Sequence, residues 1–145
     1  MAPSRDWYIA YNVIFNWFTA QYGVEGFDEY ILEITKRCYP ELIQKIKETG
    51  LEGIRDYYVD VFNTDGTTYS MKEDEESLTF EIEDCIDYQI MSESDMSCAR
   101  PCLHYCRHHE IMNTYFAQLC NCEFSMAYCN GKGQCRWIFK RGSEA

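Results

Sequence analysis

The chain has 145 residues, nine cysteines, three prolines and a formal net charge of −11. That length supports one domain able to bury roughly two-thirds of its unfolded surface. A content of 46% hydrophobic and 16% aromatic residues excludes disorder as the default state. No run approaches the roughly 18–20 apolar residues that cross a bilayer, so no membrane partner is expected.

The first segment has the period of a helix. Trp7, Tyr11, Ile14 and Phe18 recur four, three and four residues apart, which predicts a buried aromatic stripe. Ser4 or Asp6 can cap this helix and Gly23 can end it. Met1 to Asp6 is not basic, and Asn12 and Asn16 interrupt Trp7 to Ala20. A secretory signal is therefore not expected and the chain reads as cytoplasmic. A second pattern runs through Phe27, Ile31, Ile34 and Cys38 until Pro40 forces a kink or restart. Leu42, Ile43 and Ile46 continue to Gly50. A third helix uses Leu51, Ile54, Tyr58, Val61 and Phe62 before the turn Asn63-Thr-Asp-Gly66.

The period then changes to two. Thr67 to Met71 predicts an edge strand and Lys72 to Ser77 an acidic turn. Leu78, Phe80, Ile82, Ile86, Tyr88 and Ile90 fall on even numbers, as in one long half-buried strand. Asp84 interrupts it, either turned outward at a bulge or aimed into a pocket. Pro101 suits the first turn of a fourth helix reaching about Leu119. The alternations Phe124, Met126, Tyr128 and Cys135, Trp137, Phe139 flank Gly-Lys-Gly and predict a closing hairpin. The expected fold is one α+β domain. Helices of residues 1–66 pack on an antiparallel sheet in 67–145, with a cysteine-rich helix inserted before the hairpin.

Charge divides along the chain: 7 Lys+Arg against 21 Asp+Glu up to Ser97, then 6 against 3. The acidic part repels phosphate backbones, so nucleic acid is not an expected partner. The mildly basic end suits an anionic small molecule, or is a solvated surface.

Eight of the nine cysteines lie between Cys85 and Cys135. A disulfide framework is one explanation, and reduced thiols in the cytosol are the other. Cys98, Cys102, Cys106 and His109 are spaced by four, four and three. On a helix this gathers them near one face as ligands for zinc or an iron–sulfur cluster. Cys120, Cys122, Cys129 and Cys135 can complete such a site, with His104 and His108 beside it. The same face continues through Met112, Phe116 and Leu119, so the thiols also suit a role as small buried hydrophobes. A third reading needs no metal: Cys106 as nucleophile, His109 as base and Asp84 orienting it.

The strand Leu78-Thr-Phe-Glu-Ile-Glu-Asp-Cys85, the cysteine-bearing helix, Cys120 and the closing Gly131-Lys-Gly-Gln-Cys135-Arg-Trp-Ile-Phe139 carry a resemblance. This part, roughly residues 78 to 140, resembles the L-2-amino-thiazoline-4-carboxylic acid hydrolase-like family. It is also similar to 4-vinyl-reductase-type ligand domains. The first resemblance implies hydrolytic opening of a small sulfur and nitrogen heterocycle. The second implies small-molecule sensing or tetrapyrrole-related chemistry. Cys85 and Cys135 are the positions carried over, and with Cys120 and Cys122 they form the expected cofactor-binding set. The Cys98, Cys102, Cys106 series departs from the family pattern. Two functions follow as expectations: a small-molecule hydrolase or lyase, and a non-enzymatic module that binds a metal, a cluster or a small ligand.

Overall fold

The two helical signals of the first 38 residues form one run, α1 (Arg5–Cys38), in the computed structural model, which describes residues 5–101 and 104–142. Gly23 still breaks it, with φ 72° and ψ −177°, a conformation open to glycine because it lacks a Cβ. Pro40 starts α2 (Pro40–Thr49), and α3 (Leu51–Asp65) follows at once. Gly66, left-handed at φ 88°, caps α3 by donating its N–H to the Phe62 carbonyl at 3.0 Å.

The sheet is antiparallel throughout, in the order β1-β2-β4-β3, from β1 (Thr68–Glu73), β2 (Ser77–Asp84), β3 (Cys122–Cys129) and β4 (Cys135–Arg141). Between β2 and β3 stand α4 (Ile86–Glu93), a 3-10 turn (Ser97–Ala99) and α5 (Arg107–Leu119). The α+β expectation holds, with the amino-terminal helices ahead of the sheet.

Register defines the inner face. Met126 pairs with Trp137 and Trp137 with Phe80, while Cys129 pairs with Cys135 and Cys135 with Ile82. Directly opposed residues share a face, so these rows lie on one side. Leu78, Phe80, Trp137 and Phe139 are buried there against Ile54, Tyr58 and Phe62 of α3 and Phe116 of α5.

Three expectations are corrected. The long strand stops at Asp84, and Ile86 to Ile90 belong to α4. Ile86 and Ile90 are spaced by four, which satisfies a helix as well as a strand. The aromatic stripe is not core: Trp7, Tyr11 and Ile14 are 62%, 43% and 40% exposed, and Phe15, Phe27 and Ile31 are the buried side. The fourth helix begins at Arg107 rather than Pro101. Buried Asn12 of α1 donates through Nδ2 to the Cys98 and Arg100 carbonyls. The Arg100 carbonyl is the group that a helix starting at Pro101 would use for its first backbone bond. That carbonyl is held by a tertiary contact to α1.

Candidate functional site

Against the inner face lies a half-open cavity of about 1060 Å³, bounded by α1, α3, α4, the start of α5 and the β3–β4 turn. Twelve of its lining residues are aromatic, including Tyr11, Phe15 and Tyr30 from α1 and Tyr57, Tyr58 and Phe62 from α3. The exposed side of the α1 stripe is explained by this: Trp7, Tyr11 and Ile14 all line the cavity rather than the packed core.

Ionisable side chains from several segments also reach the cavity. Asp87, in the first turn of α4, is buried and accepts a hydrogen bond at Oδ2 from the Tyr105 hydroxyl at 2.8 Å. Burial raises its pKa to about 6, more than the Tyr105 bond lowers it. His108 and His109 sit in the first turn of α5. The Nδ1 of His108 meets the Tyr105 carbonyl. A carbonyl only accepts, so Nδ1 carries the proton and Nε2 is left with a lone pair. Burial pushes His108 down to about 4 and holds His109 well below the usual imidazole range, so both rings are neutral. One donor atom each of Asp87, His108 and His109 lies within 4.8 Å of the others.

Four thiols line the same cavity: Cys85 after β2, Cys106 before α5, Cys129 ending β3 and Cys135 beginning β4. Cys129 is close enough to Cys106 to help burial raise its pKa. Burial pushes Cys106 and Cys135 up to about 12 and Cys85 higher still. The β3–β4 turn ties these segments together. Gly133 has φ 90°, and its carbonyl accepts from the Cys85 N–H at 2.9 Å. Its positive φ favours glycine, and a Cβ there would meet Tyr88 Cδ1 tightly at 3.3 Å.

The residues singled out from sequence separate accordingly. Cys106 and His109 of the expected metal set line the cavity. Cys98 is exposed in the 3-10 turn, and Cys102 lies outside the described residues. No continuous helix carries that set, because α5 starts after Cys106. Of the expected cofactor set, Cys85 and Cys135 face the cavity with Cys129. Cys120 and Cys122 sit at the α5–β3 junction, bonded to backbone carbonyls of Ala117 and Cys120 at 3.5 and 3.4 Å. Cys122 and Cys129 are the two ends of β3, roughly 20 Å apart at the usual rise per residue. One small site cannot use both ends.

Asp84 is exposed, paired with Thr68 where β1 is irregular. It turns outward, and the buried carboxylate is Asp87 instead. Local spacing does not mark Asp87, although it lies between Ile86 and Tyr88 in a segment that also holds Ile90 and Met91. Among the described residues all eight cysteines are free thiols. No helix among them is long and apolar enough to cross a membrane.

No family model, curated protein or solved structure matches the chain. Its class is defined by its own architecture, an α+β fold with a half-open, aromatic-rich cavity between helices and sheet.

Proposed function

We propose that this protein binds a small, mainly apolar, ring-bearing molecule in the half-open cavity, as a sensing or carrying module. The observation that carries this reading is the cavity itself. At about 1060 Å³ it has the size of a site for a drug-sized ligand, with an apolar wall and a few convergent polar groups. Tyr8 and Asp65 are joined at 2.8 Å and, with Asp87, supply polar contacts along it.

The thiols favour binding over metal-free nucleophilic catalysis. A cysteine nucleophile needs a thiolate, which a neighbouring cation or base normally stabilises. Here burial keeps Cys106 and Cys135 protonated and the adjacent imidazoles neutral. Hydrolytic opening of a small sulfur and nitrogen heterocycle, the activity implied by the resemblance, is the second reading. The carboxyl and imidazole groups lining the cavity favour it. Its test is ring opening of a 2-amino-thiazoline carboxylate followed by chromatography.

For the binding reading, the test is titration of the full chain with 1-aminoanthracene, a neutral tricyclic amine. Saturable fluorescence enhancement at one molecule per chain is the expected result, with an unchanged isotherm for Cys98→Ser. Linear, unsaturable enhancement would contradict the reading.

A further inference from the structure

We propose that Asp87, His108 and His109 bind one divalent transition-metal ion in the cavity, with Tyr105 positioning two of the three ligands. This goes beyond the ligand reading, since the ion would bind with or without an organic molecule.

The donor set is two neutral imidazoles and one carboxylate, which suits zinc, cobalt or ferrous iron. Its three donor atoms lie within 4.8 Å of one another. Ligands around a tetrahedral ion at about 2.1 Å are some 3.4 Å apart, so closure needs the donors to approach by up to about 1.4 Å. Adjacent helical residues normally diverge by about 100°. In this first turn, however, the two imidazole centroids approach to 3.8 Å.

Tyr105 supplies the orientation that metal ligands usually receive from a second layer of hydrogen bonds. Its hydroxyl donates to Oδ2 of Asp87 at 2.8 Å, leaving Oδ1 for an ion. Its carbonyl takes the Nδ1 proton of His108, leaving Nε2. His109 packs on Trp137 with centroids 5.0 Å apart. One residue thus presets two ligands, and an aromatic wall supports the third.

The positive end of α5 opposes a cation here, and the Asp87 carboxylate offsets that field. Arg107, next in the chain, is engaged by Asp28 through two bonds of 2.6 Å. Three protein ligands leave at least one coordination position open. The three ligands also line the cavity, so the open position suits a molecule that offers an anionic oxygen, such as a carboxylate or a phenolate.

Cys85 and Cys106 are the competing donors, close enough that the Asp87 charge helps burial to push both thiols up. Cobalt(II) distinguishes the two donor types. Chelator-treated, reduced protein is titrated anaerobically with Co(II), followed by Zn(II). The expected spectrum saturates at one equivalent, has weak visible d–d bands, lacks intense thiolate-to-cobalt charge transfer, and is lost on adding zinc. His109→Ala and Asp87→Asn are expected to weaken binding by about 100-fold, and Tyr105→Phe by about 10-fold or more. Cys85→Ser and Cys106→Ser should leave both affinity and spectrum unchanged. Two results would overturn the proposal: no saturable uptake by the folded wild-type chain, or strong charge transfer that Cys106→Ser abolishes. Should a variant fail to fold, the wild-type cobalt spectrum decides alone. Cobalt binding without 1-aminoanthracene binding upholds the metal site and counts against the ligand reading only.

Discussion

Replacing Trp137 with alanine is expected to cost about 3–5 kcal/mol, the range for truncating a large buried aromatic. Trp137 is 1% exposed and central to the inner face. Its ring lies 5.0 Å from that of Tyr58, 5.7 Å from Phe62 and 6.3 Å from Phe124. It also lines the cavity, so its loss enlarges a void that the surrounding helices cannot readily fill. Native domains are stable by only about 5–15 kcal/mol, so this one change removes a large share. At roughly 2–4 °C per kcal/mol for a chain of this size, the melting temperature should fall by about 10 °C. Trp17, 53% exposed on α1, is the control, and Trp17→Ala should stay within about 0.5 kcal/mol. Equal losses in urea denaturation would mean that Trp137 is not the centre of the core.

Cys106 and Cys135 are expected to react with a disulfide reagent about 50-fold more slowly than an ordinary exposed thiol at pH 8. Cys106 and Cys135 are pushed up to about 12, chiefly by burial. Against a usual thiol near 8.5, their thiolate fraction falls by about three orders of magnitude. A more basic thiolate is the better nucleophile, with a Brønsted slope of about 0.4–0.5, which restores a factor of roughly 30–50. Thiolate scarcity still wins, before any hindrance to access. Cys38, Cys98 and Cys129 are exposed and should be modified first. Peptide mapping at successive times reads the order on metal-free protein. Fastest modification at Cys106 would restore the nucleophile reading and remove the argument that burial silences these thiols.

Helices and hairpin were legible because their signals are local. Pro40, Gly50 and Gly66 mark boundaries by backbone restriction, and the Gly-Lys-Gly turn supplies the positive φ of Gly131 and Gly133. The errors arose where one pattern serves two structures. An apolar stripe on α1 looks the same whether it meets a core or a cavity, and Trp7, Tyr11 and Ile14 meet a cavity. Ile86 and Ile90 fit either period. The site was legible only in fragments. Cys85, Cys106, His109 and Cys135 stand out in the sequence, whereas their near neighbours Asp87 and Tyr105 carry no spacing signal of their own. Tyr105 joins Asp87, 18 residues away, through a single hydroxyl. Nothing in local spacing encodes that meeting.

The chain has three tryptophans, and their indole N–H resonances provide the most direct test. Trp7 and Trp137 line the cavity, whereas Trp17 does not. In a two-dimensional nitrogen–proton spectrum of the ¹⁵N-labelled chain, saturating 1-aminoanthracene should shift the Trp7 and Trp137 indole signals and leave Trp17 in place. A shift confined to Trp17, or no shift in any of the three, would contradict a ligand in the cavity.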